Sequence, residues 1–245
     1  MSLAFAADYP QLERSAAEAL GRVATLHAHV VFASGFGAED MVVLDLIARA
    51  RLPIRTVTLD TGRLPQETHD LIDRARRLYD LSIDVLVPDA AAVEAFVHRH
   101  GPNAFYDSRE LRVECCRIRK AEPLARALAG ADAWVTGMRR AQAATRAAVE
   151  VEEIDALRRI AKVNPLAHWS GDDVRRYVRT HRVPVNALHE RGYPSIGCAP
   201  CTRAVAPGDD PRSGRWWWED AGTRECGLHV RPLAARPAIR VDAAR

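Results

Sequence analysis

Apolar positions along the chain alternate between short continuous runs and helix-spaced stripes. Val30-Val31-Phe32-Ala33 reads as a buried strand, and it leads into Ser34-Gly35-Phe36-Gly37-Ala38-Glu39-Asp40. Helical spacing predicts a helix over 41–49. A second strand over 54–59 ends at Asp60-Thr61-Gly62, and a helix over 65–79 follows with Pro65 near its first turn. A third strand is predicted over 83–87, helices over 90–98 and 115–128, and a fourth strand over 133–137. Segments 149–155 and 157–163 are expected as edge strands. Ser170 with Asp173 three residues on marks the start of a helix running to about Thr180.

Strands alternating with helices predict an α/β fold, a parallel sheet flanked by helices. Ligands of such sheets sit outside the C-terminal ends of the strands. The segments 34–40, 60–63 and 137–146 all follow strand ends, so they should share one rim. From Pro194 onward the composition shifts to Gly, Pro, Arg and three consecutive tryptophans. The expected division is therefore 1–193, an α/β domain, and 194–245, an irregular C-terminal tail folded over the sheet. Trp216, Trp217 and Trp218 are read as packing that fixes this tail to the body.

Composition narrows the class. The 245 residues are 48% hydrophobic and 27% charged, as in ordinary globular proteins. No apolar run approaches the ~20 residues of a membrane span. The first 20 residues lack a basic leader followed by an apolar core, so a cytoplasmic protein away from membranes is expected. A net charge of +3 is too mild to announce a nucleic-acid binder. Two of the 35 basic residues are lysines, Lys120 and Lys162, and the other 33 are arginines. Against that bias, a lysine marks a position that wanted a compact ammonium.

Five cysteines exclude full pairing within one chain. Cys115-Cys116 and Cys198-Ala199-Pro200-Cys201 form two pairs. Adjacent helical residues point about 100° apart, which is awkward for one small ion but suits a body with several irons. A [4Fe–4S] cluster on all four thiolates is the favoured reading, with four buried free cysteines as the alternative. The fifth, Cys226, stands in Glu225-Cys226-Gly227-Leu228-His229. It is either a reactive thiol with His229 three residues on or an incidental surface cysteine. Lys120 lies four residues after Cys116, on the same helical face, where a cation would offset repulsion between cluster and anionic substrate. The 34–40 segment reads equally as an anion-cradling loop and as a tight βα turn.

These pieces together resemble the assimilatory adenylyl-sulfate reductases, relatives of the 3′-phosphoadenylyl-sulfate reductases. The matching stretches include SGFGAEDMVVLDLI, TLDTGRLPQET, CCRIRKAEPL, WVTGMRRAQAATR, GYPSIGCAPCTRAV, PRSGRWWWE and ECGLH. The resemblance implies an adenine nucleotide α-hydrolase-like fold. It implies a phosphate loop of Ser34, Gly35, Phe36 and Gly37, with Leu59 and Gly62 at the adenosine. Lys120, Arg139, Arg140, Arg146, Arg212 and Arg215 would face the phosphosulfate, with His229 also at the substrate. Cys115, Cys116, Cys198 and Cys201 would hold a [4Fe–4S] cluster, and Cys226 would be the nucleophile. Thioredoxin or a similar dithiol would be the reductant, and homo-oligomerisation is left open.

Three rivals have distinct signatures. A 3′-phosphoadenylyl-sulfate reductase would generally lack the four-cysteine set, whereas a dual-substrate enzyme is compatible with it. An ATP-consuming relative would carry a Ser-Gly-Gly-x-Asp-Ser loop, which 34–40 does not match. A zinc-bearing nucleic-acid module would be expected to have a stronger basic charge and no adjacent cysteine pair.

Overall fold

The computed structural model describes residues 9–220. In chain order the strands are β1 Val30–Ser34, β2 Arg55–Leu59, β3 Ile83–Leu86, β4 Ala133–Val135, β5 Glu152–Asp155 and β6 Ile160–Val163. The α-helices are α1 Tyr9–Leu26, α2 Ala38–Arg49, α3 Gln66–Tyr79, α4 Ala90–His100, α5 Arg109–Cys116, α6 Glu122–Ala127 and α7 Gly171–His181. The sheet order is β3-β2-β1-β4-β6-β5, parallel except for β5 against β6. One face packs on α1, α2, α3 and α7, and α6 covers the other through Leu124, Ala127 and Leu128. That double cover explains why β1 and β4 read as continuous apolar runs.

Three features depart from the pattern-based expectation. The segment expected as a second edge strand, 157–163, contains β6, which lies inside the sheet between β4 and β5. Only β5 of that hairpin is an edge. Lys162 on β6 sits opposite Glu153, with Nζ 3.0 Å from the carboxylate and 5.5 Å from the Trp134 ring. This second rare lysine thus joins strands. α1 has no counterpart among the expected elements. Its buried face is Ala16, Ala19, Leu20 and Val23, and alanines give little contrast in a hydrophobic pattern.

The helix expected over 115–128 begins earlier, at Arg109, capped by the Ser108 side chain on Leu111 N. It widens into a π-helical turn at Arg117–Ala121 before α6. Pro123 supplies the cause: it has no N–H, and its ring would crowd the Arg119 carbonyl in a regular helix. The two adjacent cysteines therefore sit where the helix changes its winding.

Asp45 of α2, 4% exposed, accepts the hydroxyls of Tyr177 (2.7 Å) and Tyr79 (3.0 Å), tying α7 and α3 to α2. Asp45→Ala strands both phenols. It should cost about 2–4 kcal/mol in urea unfolding, with the m-value unchanged.

Candidate active site

The strand order reverses at β1, which has β2 on one side and β4 on the other. The crevice beyond the C-terminal ends of β1 and β4 is where such sheets bind ligands. A cavity of about 300 Å³ opens there. Ser34, Gly35, Gly37, Glu39 and Asp40 line it from the first loop, Leu59 and Thr61 from the second, and Gly137, Arg139, Gln142 and Arg146 from the third. Lys120 enters from the π turn, and Arg212, Arg215 and Trp216 come from the C-terminal segment. The three strand-end loops thus do share one rim.

Three expected residues sit elsewhere. The Phe36 side chain is 1% exposed in the main core. Its backbone, at φ +57°, is left-handed, and its N–H donates to the Ser34 hydroxyl at 3.2 Å. Gly62 is not in the lining and lies against the Arg119 guanidinium, its φ of +68° explaining the glycine. Arg140 donates to the Val149 carbonyl (2.5 Å) and pairs with Glu150 (2.6 Å), outside the cavity. Cys226 and His229 lie outside the described residues.

Within the cavity, Arg139 spends most of its guanidinium on protein acceptors. Nε and Nη2 donate to Glu39 Oε1 (3.0 and 2.6 Å), and Nη1 donates to the Trp169 carbonyl. Burial would raise the Glu39 carboxyl, but Arg139 outweighs it and holds the group below its usual range. Arg146 Nη1 donates to Gln142 Oε1 at 2.5 Å. Arg215 donates to the Ile196 carbonyl and the Ser195 hydroxyl and stacks 4.7 Å over the Trp216 ring. Asp40 accepts the Gly35 N–H at 2.7 Å.

Behind this wall, the side chains of Cys115, Cys116, Cys198 and Cys201 converge on one small buried cavity, each at most 9% exposed. Arg119 and Lys120 share its lining, as do Arg112 and Trp216. Among the described residues no three His, Cys, Asp or Glu side chains are grouped for a single metal ion. A cluster that offers separate irons to separate thiolates does not need such a group. Trp216 packs with the four cysteines, and its buried indole N–H has no acceptor among the described residues, which leaves a donor for cluster sulfur. The donor set therefore fits a polynuclear iron–sulfur group.

Electrostatics distinguishes the thiols. Burial raises Cys201 most, and the neighbouring Cys198 adds to it, taking the thiol to about 12. Burial also raises Cys115. Burial opposes ionisation of Cys198 as well. There Lys120, the Thr61 hydroxyl, Arg215 and Arg119 together win, and the thiol is held below its ordinary value.

The two cavities share a wall. Thr61 Oγ1 lies 3.2 Å from Cys198 Sγ, and the Thr61 carbonyl accepts from Arg119 Nη1 at 2.6 Å. The Ala199 N–H donates to the Arg63 carbonyl at 2.8 Å. Arg119 belongs to the basic stretch 117–120 but is not singled out by the sequence, although it stands four residues after Cys115, the spacing that singled out Lys120 after Cys116. Arg112 is not singled out either. It is 1% exposed, pairs bidentately with Glu219 (2.7 and 2.6 Å) and stacks 4.8 Å over Trp216. Its long-range partner left no local signal.

Residues 29–204 match the phosphoadenosine phosphosulfate reductase domain. The chain belongs to that family. A relative from Allochromatium vinosum named adenosine 5′-phosphosulfate reductase is 52% identical over 238 residues, covering 95% of this chain and 93% of the relative. One of the same name from Burkholderia cepacia is 52% identical over 219 residues, covering 89% and 88%. Among solved structures, phosphoadenylyl-sulfate reductase from Candida auris in a phosphate complex superposes with a TM-score of 0.67 at 27% identity, covering 84% of this chain and 99% of that one. Yeast FAD synthetase, at 15% identity and TM-score 0.58 over 96% of this chain and 82% of its own, shares the fold alone.

A Cβ at Gly137 would stand 2.2 Å from Asp40 Oδ1 and 3.1 Å from Asp40 N, whereas at Gly21 nothing lies within 4 Å. Gly137→Ala should lower stability by about 1–3 kcal/mol. Gly21→Ala, within α1, should raise it by about 0.5–1 kcal/mol. Chemical unfolding of both variants checks the pair.

Proposed function

We propose that this chain reduces adenylyl sulfate to sulfite and AMP. The observation that carries this is one cavity lined at once by a glycine loop and a set of cations, wall to wall with four buried cysteines. The glycine loop and the helix N-terminus behind it suit an anion, and Lys120, Arg146, Arg212 and Arg215 suit a phosphosulfate. Relatives about 50% identical carry the adenosine 5′-phosphosulfate reductase name, which favours that substrate over its 3′-phosphorylated form.

The Cys226 thiolate attacks the sulfur of the sulfo group. The S–O bond to the phosphate breaks, and its electron pair leaves with AMP. Polarizable sulfur suits this displacement, and charge growing on the departing phosphate is met by cations already in place. Cys226 now carries an S-sulfo group. A dithiol of the thioredoxin class attacks Cys226 Sγ and releases sulfite. Its second thiol then frees Cys226 and leaves the dithiol oxidised. Cys115, Cys116, Cys198 and Cys201 would hold a [4Fe–4S] cluster. When bound, it would supply structural cross-linking and a negative charge that sets the cations between it and the substrate. Lys120 lines both cavities, so it serves as that intervening cation. No described helix is long and apolar enough to cross a membrane, in keeping with a cytoplasmic role.

Anaerobically purified protein should contain iron and labile sulfide; zinc alone would overturn the cluster assignment. Cys226→Ser should keep the visible absorbance and lose sulfite formation by on the order of a thousand-fold or more. Lys120→Ala should keep the fold and slow turnover by about a hundred-fold, well beyond a surface control such as Arg77→Ala.

A further inference from the structure

The first loop's anion-binding groups are not simply open to a ligand. Asp40 Oδ2 accepts the Gly35 N–H at 2.7 Å, and the amides of Gly37 and Gly137 also donate to this carboxyl. Gly137 approaches so closely that even a methyl group would collide with Oδ1. One carboxyl thus bridges the loop after β1 and the loop after β4, on the cavity floor, and takes the amides that a phosphosulfate oxygen would seek.

An ionised Asp40 and an incoming anion repel each other at that spot. A protonated Asp40 keeps one oxygen as acceptor and turns the other into a donor toward the anion. We propose that recognition of an anion by the glycine loop is coupled to uptake of one proton by the Asp40 carboxyl. This rests on the functional reading above for the identity of the anion. The surroundings favour such a proton. Burial is the largest influence on Asp40, the amides of Gly35, Gly137 and Gly37 oppose it, Glu39 reinforces it, and the outcome is a group raised to about 7. Glu39 is itself engaged by Arg139. The remaining charged or titratable groups on the cavity wall are Lys120 from the π turn, Arg146 from the third loop, and His189, Arg212 and Arg215 from the C-terminal part.

The sign follows from linkage. A ligand that favours the protonated form binds tightly below the pKa and loses affinity as pH rises through it, by tenfold per unit in the limit. The test uses full-length, anaerobically purified Cys226→Ser protein, which cannot consume adenylyl sulfate, and the same protein with Asp40→Asn added. Affinity for adenylyl sulfate is measured from pH 6 to 8.5. The phosphosulfate is fully ionised throughout, so the ligand adds no titration of its own. In Cys226→Ser the dissociation constant should rise about tenfold per unit above pH 7, and Asp40→Asn should remove that slope. His189 and the cations are present in both proteins, so the difference in slope belongs to Asp40. Parallel pH dependences, or an offset constant at every pH, would make Asp40 a loop staple only and overturn the inference. Failure of adenylyl sulfate to bind either protein at any pH would overturn the functional reading, and this inference with it.

Discussion

Positive charge leaves water only where negative charge or good acceptors receive it, and this constraint organises the molecule. Arg112, Arg119 and Arg215 are each less than 9% exposed, and all three stand close to the cysteine pocket. Each has its own outlet. Arg112 faces Glu219, Arg119 faces the Thr61 carbonyl, and Arg215 faces Ile196 and Ser195. These outlets come from three separate stretches of chain, at 61, 195–196 and 219. The basic cluster therefore exists only when the helix, the loop after β2 and the C-terminal segment are assembled together.

That assembly makes cavity and cysteines a single unit. Thr61 touches Cys198 through its hydroxyl and Arg119 through its carbonyl, while lining the larger cavity. Trp216 lines both spaces and carries Arg112 and Arg215 stacked on it. A change on one side of this wall must be felt on the other, because close-packed interiors transmit strain instead of absorbing it. The π turn belongs to the same logic. By widening the helix after Cys116, Pro123 places Lys120 where it borders both spaces.

Much of the architecture was legible in the chain. β1, β2, α3 and the Ser170–Asp173 capping box depend on local spacing, and they occur within a residue or two of where the pattern places them. α1 was hidden because its buried face is rich in alanine. β6 was misplaced because a short run of Ile160, Ala161, Lys162 and Val163 does not say whether neighbours flank it on one side or both. Arg140 was indistinguishable from Arg139 by sequence, yet one lines the cavity and the other pairs with Glu150.

The order of residues along the chain alone determined the α/β class, the shared rim of three strand-end loops, the two cysteine pairs and the exceptional Lys120. Those features are written in local periodicity and in residue identity. Tertiary structure alone decided which arginines turn inward, that Thr61 bridges two cavities, and that Asp40 sits on the amides of two loops. Each of these depends on groups up to 137 residues apart meeting within hydrogen-bond distance, and no local pattern encodes such a meeting.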